Sequence, residues 1–125
     1  MDLSNDKENL EKEGMNLYQY IVDHCETNTE ELTELILKLR SVDTSGQFLA
    51  STARYLAAVD RARFEPWLAS LIEAAIEKDR ERRYIGSLLQ AIWGEDYTER
   101  VDELKESDNN FRRIYKRIHP QGNAM

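Results

Sequence analysis

Two histidines and one cysteine are all that this 125-residue chain offers for imidazole or thiol chemistry, and His24 and Cys25 stand side by side. A thiol beside an imidazole suggests an activated nucleophile, because the thiolate is the reactive form and a neighbouring base can generate it. On a helix, however, adjacent residues point about 100° apart and cannot readily meet, and nothing nearby supplies an orienting third group. Cys25 therefore reads as a small buried apolar residue. His24 reads as a helix-end ring whose partial positive charge suits the negative pole of the dipole.

Metal chemistry has even less to draw on. The sequence contains no CxxC, no HExxH and no Glu-x-x-His, the pattern that helical di-iron bundles use twice. Glu95, Asp96, Glu99, Asp102 and Glu103 gather acids around the start of one helical segment, where they serve as dipole partners and a solvated face. There is no glycine-rich phosphate loop and no GxSxG elbow. No catalytic, cofactor-binding or metal-ligating residue is assigned, and the expectation is a protein that is not an enzyme and carries no cofactor.

The candidate binding residues are Arg112, Arg113, Lys116 and Arg117, the polar face of FRRIYKRIH. Phe111, Ile114, Tyr115 and Ile118 form its opposite, apolar face. With Arg80, Arg82 and Arg83 close by, these cations would make a positive patch. Three uses compete: neutralising the chain's own acidic segment at 26–34, docking an acidic protein partner, or binding nucleic-acid phosphates with steep salt dependence. Six tyrosines are numerous for this length, and three or more exposed together would mark a binding surface.

Charge is unevenly placed. Residues 1–53 hold 4 basic and 11 acidic side chains, whereas residues 54–125 hold 13 of each, so the net charge of −7 lies in the first half. A field of this sign favours basic partners and disfavours unaided binding to nucleic acid or anionic membrane. The first twenty residues hold several acids and no apolar block like a signal sequence, and no apolar run approaches the roughly 20 residues needed to cross a bilayer. With one cysteine and hence no internal disulfide, a soluble cytoplasmic protein is expected.

These residues must be positioned by helices. Five Gly and two Pro leave few sharp turns for a sheet protein, and 33% charged residues suit helices with one wet face. Leu17, Tyr18, Ile21, Val22 and Cys25 give one face, in a helix expected from Met15, because Gly14 costs about 1 kcal/mol within a helix. Asn5 with Glu8 has the form of a capping box upstream. Thr27 or Asn28 is expected to cap a second helix carrying Leu32, Leu35, Ile36 and Leu39, which ends near Ser41. Val42-Asp43-Thr44-Ser45-Gly46 is a turn cluster, and a third helix carries Phe48, Leu49, Thr52, Leu56 and Val59.

Phe64-Glu65-Pro66 then closes a connection and opens the central stretch. There Leu68, Leu71, Ile72, Ala75 and Ile76 form one stripe, and Ile85, Leu88, Leu89, Ile92 and Trp93 a second. Seven consecutive charges, Glu77 to Arg83, separate them. A straight helix would aim the stripes about 120° apart, so a break near Asp79 that folds one onto the other is favoured. Gly94 suits a helix end. Asp96 with Glu99 again has capping-box form before Tyr97, Val101 and Leu104, Asp108-Asn109-Asn110 is a break, and His119-Pro120 ends the last helix.

The fold expected is all-α, with five to seven short helices packed as helical hairpins, as a bundle or a short solenoid-like array around the Pro66 to Trp93 pair. Residues 14–119 form a single helical domain, 1–13 a flexible acidic extension and 120–125 a disordered tail. The similarity of Arg54 to Val59 with Arg83 to Leu88, offset by 29, is shorter than the 34 residues or more of helical-hairpin repeats. The functional expectation is a non-enzymatic acidic binding module, a cytoplasmic adaptor or regulator working through contacts with a protein partner, with no membrane role. The alternatives are a nucleic-acid-associated accessory protein using the basic C-terminal helix, and an acidic inhibitor that imitates nucleic acid.

Overall fold

The computed structural model describes residues 3–120, and the side chains from residue 7 onward. Six helices are present there: α1 (Leu3–His24), α2 (Leu32–Val42), α3 (Gln47–Lys78), α4 (Gly86–Trp93), α5 (Val101–Ser107) and α6 (Asn109–Ile118). Single 3₁₀ turns precede α2 and α5. No strand occurs among the described residues, so the fold is all-α.

The spine is α3 rather than the stretch from Pro66 onward. It bends at Asp60, whose backbone is extended (φ −167°, ψ 92°) and whose Oδ1 accepts the Arg63 N–H at 3.1 Å, as a helix cap does. The expected connection at Phe64-Glu65-Pro66 is instead helical, with Pro66 inside the second limb and Phe64 fully buried. The first limb lies between α1 and α4, where Tyr55 Oη donates to the Val22 carbonyl at 3.4 Å and Arg54 donates to Ser87 Oγ. The second limb lies between α2 and α6. Trp67 Nε1 donates to Thr33 Oγ1 at 3.1 Å, and Arg117 Nη1 to the Ile76 carbonyl at 2.7 Å.

Helix α1 begins a dozen residues before Met15 and runs through Gly14. The reason is contact: a Cβ at Gly14 would lie 2.6 Å from Phe48 Cδ2, so the missing side chain admits the ring of a neighbouring helix. That contact outweighs the helix-propensity penalty. Asn5 lies inside α1 rather than at its start. Asn28 makes no side-chain cap bond, and Thr27 Oγ1 donates back to the His24 carbonyl instead. Asp96 also caps nothing through its side chain; a 3₁₀ turn at Tyr97–Arg100 intervenes, and Asp96 pairs with Arg100 at 3.6 Å.

The break near Asp79 is present, and α4 folds back onto α3. Asp79 is 2% exposed and accepts three backbone N–H groups, from Arg83 (3.0 Å), Tyr84 (2.7 Å) and Ile85 (2.8 Å). Asp43, also 2% exposed, does the same at the entry to α3, accepting from Ser45, Gly46 and Leu49. Asp108 ends α5 and caps α6 through Asn110 and Phe111, and its Oδ2 accepts Trp93 Nε1–H at 2.9 Å. In all three the backbone N–H closes the preceding helix while the carboxylate opens the next element. Gly46 (φ 87°) and Gly94 (φ 98°) take two of the three positive-φ positions among the described residues, and Arg82 (φ 60°) takes the third.

One apolar cluster unites the layers. Most of the stripe residues expected from the sequence are buried, Leu17 and Leu35 being only half-covered, and Phe64, Phe111 and Ile114 join them in the core. The 29-residue similarity has no structural counterpart: Arg54 to Val59 lies in the first limb of α3, whereas Arg83 to Ile85 lies in a connection. The expected tail at 121–125 lies outside the described residues.

Candidate functional site: an acidic groove between α1 and α2

Leu17 and Leu35 are half-covered, and an opening lies beside them where α1 and α2, joined by a short connection, pack together with Ile21, Leu32, Ile36 and Leu39 in the core. The opening is a groove of about 490 Å³ lined by Glu13, Asn16, Leu17 and Tyr20 from α1 and Glu31, Glu34, Leu35 and Lys38 from α2 and its preceding turn. Both sets follow the spacing i, i+3, i+4, i+7, so each helix contributes one continuous stripe. The apolar residues make the floor. Three glutamates and one lysine make the rim.

Tyr20 closes one end. Its hydroxyl donates to Glu31 Oε2 at 3.0 Å, and its ring stacks on His24 with centroids 4.0 Å apart. The bond to Glu31, followed by burial and the Glu31 charge, holds the phenol protonated above its usual range. His24 Nδ1 lies 2.9 Å from the Tyr20 carbonyl, where a protonated Nδ1 donates. The ring is thus turned along the helix, away from its neighbour in sequence.

Cys25 is 1% exposed. Burial first, then the charge of Glu26, pushes its thiol up, against a smaller opposing pull from Arg63. A buried thiol held protonated has neither the ionisation nor the access of a nucleophile. Among the acids at 95–103, Glu95 accepts from Gln90 Nε2 at 3.4 Å and Asp96 pairs with Arg100. No cluster of His, Cys, Asp or Glu suited to a metal occurs among the described residues.

The four cations singled out in α6 divide in their roles. Arg117 turns inward and caps the carboxyl end of α3, through the Ile76 carbonyl at 2.7 Å and the Asp79 carbonyl at 3.5 Å. Arg112 bonds back to the Lys105 carbonyl at 3.3 Å and to Asn109 Oδ1. Arg113 and Lys116 have no ion-pair partner among the described residues. Helix α6 packs on α3, α4 and α5, so its cations do not neutralise residues 26–34. The structure does bring the second basic run beside it, since Arg82 Nη1 donates to the Arg117 carbonyl at 3.2 Å.

Five of the six tyrosines are half-buried, with Tyr97 and Tyr115 packed on Phe111, so exposed tyrosines do not cluster. The groove is hidden in the sequence because Glu13 lies in the acidic stretch 1–13, and Leu17 and Leu35 sit on stripes whose spacing reads as buried. The signal was present as matching polar-polar-apolar stripes at 13, 16, 17 and at 31, 34, 35.

No protein-family model, curated protein or solved structure matches this chain.

Proposed function

We propose that this protein is a non-enzymatic binding module acting through protein contacts, and that the α1–α2 groove receives a basic amphipathic segment of its partner. The observation that carries the reading is the pairing of an apolar floor, Leu17, Tyr20 and Leu35, with a glutamate rim, Glu13, Glu31 and Glu34. An apolar stripe of a docking helix fills the floor while its lysines or arginines meet the rim, the helix-in-groove mode of recognition. The net charge of −7, concentrated in residues 1–53, steers such a segment towards this end of the molecule. The neighbouring His24 and Cys25 are engaged and buried in ways that suit structure rather than catalysis.

The test is fluorescence anisotropy with a labelled synthetic helix of leucine and lysine at helical spacing. Binding is expected to weaken with salt, to be lost in Leu35→Glu, and to fall in Glu34→Lys, while Glu106→Lys on α5 binds as wild type does. Equal binding by all four proteins would place the peptide elsewhere and remove the groove from the proposal.

A further inference from the structure

A second charged surface, of opposite sign and sharing no residue with the groove, lies where the α3–α4 connection meets the end of α6. Arg80 and Arg82 come from the connection, Arg113 and Lys116 from α6. Arg117 fastens the two segments through the Asp79 carbonyl at 3.5 Å, with the Ile76 carbonyl of α3 beside it at 2.7 Å, and Arg82 fastens them again through the Arg117 carbonyl. An open hollow of about 570 Å³ lies between Arg80 and Arg117, with Glu77 on its wall. Arg80, Arg113 and Lys116 have no ion-pair partner among the described residues.

The cleft next to this surface does not act as a seat for a small anion. It is lined by Lys7, Lys78, Arg80 and Arg83, but Asp43 and Asp79 already occupy the amide groups at its two helix entries. Their carboxylates fill the role that a bound phosphate would take. Of the cations outside them, Arg83 pairs with Glu81 at 2.8 Å, and Arg80 is left facing solvent.

We propose that this arginine-rich surface docks a short acidic peptide segment of a partner protein. Guanidinium groups match carboxylates in a planar, two-pronged fashion, and three of the four cations here, Arg80, Arg82 and the half-buried Arg113, are arginine. Length decides between an acidic peptide and nucleic acid. Glu11 and Glu81 line the adjoining cleft, so on that side the positive surface is bounded by carboxylates, while Glu77 stands beside Arg80 in the hollow itself. A polynucleotide running beyond the patch meets those acids and the −7 of the first half, whereas a short acidic segment fits inside the boundary.

The experiment compares a labelled peptide of five glutamates with a single-stranded oligonucleotide of similar charge, at low and at physiological salt. The proteins are wild type, Arg80→Glu with Lys116→Glu, and Arg113→Gln. None of these side chains makes a hydrogen bond that the fold needs, and circular dichroism confirms that each variant is folded. The peptide is expected to bind wild type with salt sensitivity, to lose about tenfold in the double variant and less in Arg113→Gln. Absence of peptide binding at low salt overturns the proposal, as does binding unchanged by the double variant. Tighter binding of the oligonucleotide, lost in the same variants, also overturns it by assigning the surface to phosphates.

Discussion

Substitution of Asp79 tests the turn most directly, because one buried carboxylate gathers three N–H groups at the reversal between α3 and α4. Replacing it with alanine strips the acceptors from three N–H groups. The Ile85 N–H is fully buried, and at the usual cost of an orphaned buried donor contributes about 2 kcal/mol. Those of Arg83 and Tyr84 are partly reached by water and add about 0.5 kcal/mol each. The expected loss is about 3 kcal/mol. Asp79→Asn keeps one oxygen where Oδ2 accepts from Tyr84 and Ile85, and turns an amide against the Arg83 N–H alone, so about 1 kcal/mol is expected. Urea unfolding followed by tryptophan fluorescence reads both. With an m-value of about 1.5 kcal/mol/M the midpoint falls by about 2 M for alanine and by under about 1 M for asparagine. If alanine came within 0.5 M of wild type, or asparagine were as damaging as alanine, the carboxylate would not be what holds the turn.

Gly14→Ala sets about 1 kcal/mol of helix propensity against an overpacking cost of about 1 to 3 kcal/mol, since the new Cβ lies 2.6 Å from Phe48 Cδ2. It should destabilise by about 1 kcal/mol in wild type and stabilise by a similar amount beside Phe48→Leu, and urea midpoints showing the same sign in both backgrounds would reject the contact. Trp93→Phe keeps an aromatic ring against Phe111 but loses the 2.9 Å bond to Asp108, for about 1.5 kcal/mol, whereas Trp93→Ala costs about 3 to 5 kcal/mol. Thermal unfolding of Trp93→Phe at the wild-type temperature would mean that the indole N–H contributes nothing, and equal losses for the two variants would mean that the ring packed on Phe111 contributes nothing.

The stripes that build the core were legible because burial repeats with the helix, and Leu68, Leu71, Ile72, Leu88, Leu89 and Ile92 all lie where their spacing placed them. Connections were legible where composition changes, at Asp43 to Gly46 and near Asp79 and Asp108. What could not be read was the direction of single side chains. Gly14 looked like a helix breaker because the ring that needs its missing Cβ lies 34 positions away in the chain. Pro66 looked like a first turn because proline favours that place, but the tertiary bend was taken up six residues earlier, where Asp60 caps a new limb. Arg117 looked like surface charge, and only the contact with α3 shows it to be a cap. The groove between α1 and α2 was hidden for a related reason: half-covered leucines and fully covered ones share one periodicity, and which is which depends on how two helices pack.

The buried aspartates also bear on where charge is free to act. A chain with five glycines and two prolines cannot reverse direction often through backbone permissiveness, so it uses carboxylates to gather N–H groups at its reversals. Each carboxylate so used is withdrawn from the surface, and at the α3–α4 reversal Asp79 is turned onto the Arg83, Tyr84 and Ile85 N–H groups rather than outward. At the α1–α2 reversal no aspartate plays that part: Tyr20 bridges to Glu31 instead, and the glutamates of the rim remain at the surface. The second limb of α3 lies between α2 and α6, so the acidic and basic surfaces occupy opposite flanks of one helix. Charge reversal on one flank should therefore leave binding on the other within a factor of about two, because exposed charges farther apart than about 8 Å are largely screened at physiological salt.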